Sequence, residues 1–123
     1  MMDKEKFSEL AVEGYTVVPL KQKIQTQYQD PISLFKKVRS IKDSFLLESV
    51  EGGDQWAQYS IIGFDCSDSI QVHHDEIKII EEGRTKKVTS PKPLDVIADQ
   101  IKKQKALKEK DMPRFYGGYV GFF

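Results

Sequence analysis

The 123-residue chain is long enough for one domain burying very roughly two thirds of its unfolded surface. Its 19 basic and 19 acidic side chains cancel, which removes the electrostatic case for a nucleic-acid or membrane-surface partner. Cys66 is the only cysteine, which excludes an intrachain disulfide and suits a reducing compartment. The opening MMDKEKFSEL lacks a signal-peptide core and no later run has the length of a membrane span, so the expectation is a soluble, cytoplasmic α+β domain.

Asp3 is placed to cap a short helix carrying Phe7, Leu10 and Ala11 on one side and closed by Gly14. Tyr15–Leu20 (YTVVPL) reads as a strand that Pro19 confines to an edge or ends early, because proline has no N–H for a ladder. Lys21–Gln29 is polar and reads as a loop. Asp30-Pro31 then starts a second helix, an N-cap followed by a proline whose missing N–H costs nothing in the first turn. Leu34, Phe35, Val38 and Ile41 form its apolar stripe, and Lys36, Lys37 and Arg39 its wet face.

Ser44–Gly63 (SFLLESVEGGDQWAQYSIIG) reads as two strands joined by a tight turn at Glu51-Gly52-Gly53-Asp54, with Trp56–Ile62 as the return strand. Glu48 and Ser49 interrupt the first strand where its apolar run should continue. Alternation sets Glu48 with Leu46 and Val50 on one face, and Ser49 with Phe45 and Leu47 on the other. A carboxylate and a hydroxyl so placed can meet the ammonium and the carboxylate of an amino acid. Pattern alone still favours an exposed polar interruption, because strand carboxylates are common at sheet edges.

After a polar connector at Asp65–Ser69, three short strands are predicted at Ser69–His73, Ile77–Glu81 and Thr85–Thr89, an antiparallel meander with turns at His74-Asp75-Glu76 and Glu82-Gly83-Arg84. Ser90-Pro91-Lys92-Pro93 breaks the sheet and starts a third helix. Leu94, Ile97, Ala98 and Ile101 are its apolar positions, the lysines from 102 to 110 crowd its C-terminal end, and Met112-Pro113 stops it. Arg114–Phe123 (RFYGGYVGFF) reads as an aromatic, glycine-rich strand. The chain stops inside this apolar run at Phe122-Phe123, which predicts a segment of a longer polypeptide. The fold expected is α+β: an antiparallel sheet or meander with about three flanking helices, residues 1–123 forming a single domain.

No catalytic set is visible. His73, His74, Asp75 and Glu76 have metal-ligand chemistry, but neighbouring strand residues point to opposite faces, and a polar turn accounts for them. Gly117-Gly118 and Gly121 lack the Lys-Ser/Thr and following helix of a phosphate loop. Cys66 has no cationic sequence neighbour to lower its pKa and reads as a passive thiol. The Lys102–Lys110 run reads as a solvated helix face.

Phe45-Leu46-Leu47-Glu48-Ser49-Val50-Glu51-Gly52-Gly53 followed by Tyr59-Ser60-Ile61-Ile62-Gly63 resembles the N-terminal region of anthranilate synthase component I, with its LLES strand and subsequent RYSxIG strand. Gly14 to Leu20 resembles the family's early "G…VPL" segment, and Pro113–Phe122 its "LPRFxGGxVGYxGY" segment. The paralogous component I of aminodeoxychorismate synthase shares much of this pattern. A free-standing, non-enzymatic small-molecule-binding or interaction module is the reading from a different class.

The resemblance implies a lyase that converts chorismate to anthranilate in tryptophan biosynthesis, using Mg2+ and ammonia from a glutamine amidotransferase component II. It also implies that chorismate and Mg2+ are held by a large C-terminal region absent here, so this segment holds no cofactor and is not catalytic by itself. What it transfers to this chain is part of the L-tryptophan feedback site: Glu48 and Ser49 as ligand contacts, Leu47 as a wall, and Tyr59 and Ser60 on the partner strand. Gln58 stands where the family has arginine, which removes a charge beside the site. Without the C-terminal region the segment is expected to self-associate, by strand addition or by burying its aromatic C-terminus.

Overall fold

The computed structural model describes residues 2–27, 30–48 and 59–122, in two compact units. One unit is built from Met1–Lys23 together with Ser90–Phe123, and the other from Ile24–Thr89. Among the described residues, three helices and two small antiparallel sheets make the fold α+β, as the sequence pattern predicts.

In the first unit, α1 (Lys4–Val12) begins where Asp3 Oδ1 accepts the Lys6 N–H at 2.8 Å. It ends in a Schellman closure. Gly14, at φ +85°, donates to the Ala11 carbonyl and Tyr15 to that of Leu10, two bonds that require the left-handed turn glycine adopts without strain. Leu10 is the buried residue of this helix.

The expected strand Tyr15–Leu20 is reduced to one parallel bridge, Val17 with Ala106. The Thr16 and Val17 N–H groups donate to the Lys105 carbonyl, and Leu107 N–H donates to that of Val17. The Thr16 hydroxyl accepts the Lys105 N–H at 2.8 Å and donates to Gln104 Oε1 at 2.8 Å. Pro19 denies the next outward donor, so the pairing goes no further. Lys105 ties the same corner together: its ammonium donates to the Glu13 carbonyl at the end of α1 and lies 4.3 Å from the Tyr15 ring centroid.

The third helix, α3 (Pro93–Lys102), starts on Pro93 after a Ser90 hydroxyl that accepts the Lys92 N–H. It is shorter than the sequence suggests. Lys103 and Gln104 close it through bonds to Asp99 and Ile101, and the remaining lysines lie on non-helical chain that includes the Ala106 bridge. Its inward face also differs from the expected stripe. Ile97 and Ala98 are half-buried, but Leu94 is 60% exposed, Ile101 is exposed, and Gln100 is buried in their stead. Gln100 tolerates burial because it is hydrogen-bonded, accepting from the Lys103 ammonium at 3.4 Å. The expected C-terminal strand does not form among the described residues from Arg114 onward. Three glycines in that stretch weaken extended pairing, and Gly118 sits at φ +135°, outside strand geometry.

In the second unit, α2 (Pro31–Val38) is capped by Asp30, whose carboxylate accepts the Ser33 N–H at 2.8 Å and the Ser33 hydroxyl at 2.6 Å. These two bonds, the hydroxyl foremost, hold the Asp30 carboxyl below the usual carboxylate range. Leu34, Phe35 and Val38 are half-buried while Lys36, Lys37 and Arg39 are exposed, as expected, but the helix ends before Ile41, the fourth residue of the expected stripe, which is exposed; the helix packs on β1 (Phe45–Leu47). The return strand β2 (Ile61–Gly63) begins later than expected: Tyr59 and Ser60 precede it, and residues 56–58 lie outside the described residues.

The meander forms at the expected place. β3 (Ser69–His73), β4 (Glu76–Glu81) and β5 (Arg84–Thr89) pair antiparallel in that order. Its turns are two residues long, His74-Asp75 and Glu82-Gly83, with His74, Glu82 and Gly83 at positive φ, so Glu76 and Arg84 belong to strands. Asp68 Oδ1 accepts the Glu82 N–H and fastens the second turn. Central β4 supplies the buried residues: Ile77 is 1% exposed, and Ile79 is also buried. Registers Val72↔Ile77↔Val88 and Ile70↔Ile79 put these apolar side chains on one face.

Candidate functional site

Of the resemblance-derived residues, Leu47 lies in β1, and Glu48, Tyr59 and Ser60 flank the β1–β2 pair. Its register is Phe45↔Gly63, Leu46↔Ile62, Leu47↔Ile61. Phe45 and Gly63 form the pair farthest from the connecting loop, and the Phe45 ring lies in the space a Cβ at position 63 would take. Glycine there permits an aromatic ring to cross the neighbouring strand at backbone distance.

Three bonds brace that end. The Ser44 hydroxyl donates to the Arg39 carbonyl at 2.9 Å, joining the hairpin to the end of α2. Asp65 N–H donates to the Lys42 carbonyl at 2.9 Å, and the Cys66 thiol donates weakly to that of Asp43 at 3.6 Å. Asp43 and Asp65 both take positive φ, 54° and 55°, so the chain bends sharply on each side of the strand pair. Cys66 is exposed.

At the other end of the pair the chain runs into residues 49–58, outside the described residues. Leu47 is the last paired residue of β1 and is 43% exposed. Glu48 follows it, exposed, with no hydrogen-bond or ion-pair partner among the described residues. Carried one step further, the register sets Glu48 opposite Ser60, which is also exposed. Tyr59 precedes Ser60 and is 60% exposed. Leu47, Glu48, Tyr59 and Ser60 are therefore grouped at one end of one hairpin, whereas Ser49, the glycine turn and Gln58 lie outside the described residues. The end offers one free carboxylate, a hydroxyl, an aromatic ring and an apolar side chain, the functional groups that an amino acid with an apolar side group needs.

His73 and His74 stack edge to face, ring centroids 4.5 Å apart at the β3–β4 turn, and among the described residues no three His, Cys, Asp or Glu side chains converge as metal ligands. The described residues do not fit a Mg2+ site, and no step through Mg2+ is assigned to them. The first unit has a half-open groove of about 580 Å³, lined by Lys6, Leu20, Lys21, Glu109, Asp111 and Met112 among others. The Lys21 ammonium donates to the Asp111 carbonyl along it, at 2.9 Å. No helix among the described residues is long and apolar enough to cross a membrane.

With this geometry in hand, known proteins place the chain. It is 33% identical over 123 residues to anthranilate synthase component 1 of Pseudomonas aeruginosa, an alignment covering 99% of this chain and 25% of that protein. It is 31% identical over 123 residues to the Neisseria meningitidis serogroup B protein of the same name, covering 100% and 25%. It is 35% identical over 113 residues to that of Aquifex aeolicus, covering 90% and 23%. The chain is homologous to the N-terminal quarter of anthranilate synthase component 1. It spans about a quarter of the length of these relatives. No protein-family model matches it, and neither does any solved structure. Phe45 packed on Gly63 escapes a reading by pattern alone, although both residues belong to the stretch that resembles anthranilate synthase component I.

Proposed function

We propose that this chain is the regulatory segment of an anthranilate synthase component I and carries half of an L-tryptophan feedback site. The observation behind this reading is the alignment of nearly the whole chain with the N-terminal quarter of proteins of that name, with Leu46 and Leu47 in β1 and Glu48 directly after it. In this proposal the Glu48 carboxylate receives the tryptophan ammonium, the Ser49 hydroxyl donates to its carboxylate, and Leu47 and Tyr59 flank the indole beside Ser60. A buried zwitterion needs both charged ends met, because an unpaired buried charge is very costly. The hairpin meets them on one side only. The exposure of Glu48 and Leu47 supports a pocket that is completed by the downstream region, so that tryptophan reports to that region by binding one of its orientations more tightly.

The whole protein would then be a cytoplasmic lyase forming anthranilate from chorismate, with Mg2+ in the downstream region and ammonia from a glutamine amidotransferase component II. The relatives, named for anthranilate synthase, favour this branch over aminodeoxychorismate formation. The reading is tested in a chimera, with this chain replacing the aligned N-terminal quarter of the Pseudomonas aeruginosa protein. Anthranilate formation by the chimera is expected to be inhibited by L-tryptophan and unaffected by L-leucine. An active chimera insensitive to tryptophan would contradict the proposal.

A further inference from the structure

The three-stranded sheet has two edges of opposite character. β5 presents Arg84, Lys86 and Lys87 within six residues and no acid, the kind of charged edge that repels a second strand. β3, Ser69-Ile70-Gln71-Val72-His73, has no Lys, Arg, Asp or Glu, and no strand among the described residues pairs with its outer side.

Hairpin geometry says which backbone groups that outer side offers. A two-residue turn closed by the His73–Glu76 pair makes 73↔76 a mutually hydrogen-bonded pair, and alternation extends this to 71↔78 and 69↔80. The N–H and C=O groups of Ile70 and Val72 therefore point away from β4. Val72 is 42% exposed although it shares a face with buried Ile77 and Ile79. The apolar face of the sheet thus runs out to an edge with four unspent backbone groups and no charge to guard it.

We infer that β3 is the docking edge through which two copies of this chain associate, antiparallel about a two-fold axis at Gln71. That register sets Ile70 against Val72 of the second copy and Val72 against its Ile70. Each pair exchanges two backbone hydrogen bonds, and the two apolar faces become one across a six-stranded sheet. Gln71 meets Gln71, and Ser69 meets His73. No like charges oppose one another in this arrangement, whereas the same operation on β5 drives lysines together. The inference is independent of the tryptophan reading.

Sedimentation equilibrium of the 123-residue chain, run as a concentration series, tests it. The wild-type chain is expected to reach twice the monomer mass. Gln71→Lys, which opposes two ammonium groups at the axis, is expected to weaken the dimer at least tenfold. Val72→Pro removes an outward N–H and no bond to β4, and is expected to abolish the dimer. Lys87→Gln on β5 and Phe122→Ser in the C-terminal segment should leave it intact. Hydrogen exchange of the unsubstituted chain supplies a second readout: the Ile70 and Val72 amides gain protection as concentration rises. A monomeric wild-type chain, a dimer indifferent to both β3 substitutions, one lost on either control substitution, or concentration-independent exchange at Ile70 and Val72 would overturn the inference.

Discussion

Replacing Gly63 with alanine is expected to cost about 1–3 kcal/mol of folding stability, seen as a lower urea midpoint at unchanged slope. The added methyl group would overlap the Phe45 ring, whose strand packs on α2 and whose neighbour Ser44 is tied to Arg39. Relief by moving the ring would separate Phe45 from its partner strand and unseat a register only three pairs long. The loss is therefore specific to the ring. In a Phe45→Ala background, which already lacks it, Gly63→Ala should cost close to nothing, and the cycle of four proteins should give a coupling as large as the single Gly63 effect. Equal costs of Gly63→Ala in both backgrounds would show that the ring does not set the requirement for glycine.

The second large effect is expected at Glu48 and Ser49, directly after β1. In the chimera, Glu48→Gln keeps the shape of the side chain and removes its charge. Losing the counter-ion of a desolvated ammonium costs about 2–3 kcal/mol, so half-inhibition by L-tryptophan should need roughly 30- to 150-fold more of it. Ser49→Ala removes one hydrogen bond to a charged group, worth about 1.5 kcal/mol or roughly tenfold. Uninhibited turnover should be unchanged in both variants, because neither residue is proposed to touch chorismate. Unaltered tryptophan sensitivity in both would remove Glu48 and Ser49 from the site. A parallel fall in uninhibited activity would point to a structural role instead.

Local chemistry made the helix starts and the meander legible in advance. Asp3 and Asp30-Pro31 act through side-chain bonds reaching only three residues along the chain, and the turns at His74-Asp75 and Glu82-Gly83 lie between runs of clear alternation. What local pattern misjudged depends on partners distant in sequence. The end of α3 at Lys102 is marked by no glycine or proline. The chain beyond it is taken up by Thr16 and Val17, 88 and 89 positions away from Gln104 and Lys105 in their side-chain contacts and backbone bridge. The exposed Leu94 and Ile101 reflect the same limit: helical spacing identifies an apolar stripe but not what covers it. Glu48 shows a second limit. The pattern set it inside the first strand, whereas β1 ends at Leu47, and no rule of alternation separates a carboxylate that faces water from one awaiting a ligand; only the likeness to known proteins gave that choice a direction.

Calorimetric titration of L-tryptophan into the active chimera and into the isolated 123-residue chain tests the proposal most directly. A hairpin holding only half of the pocket predicts one saturable site per chimera and no measurable heat of binding from the chain alone. Tight, stoichiometric binding by the isolated chain, or none by an active chimera, would contradict it.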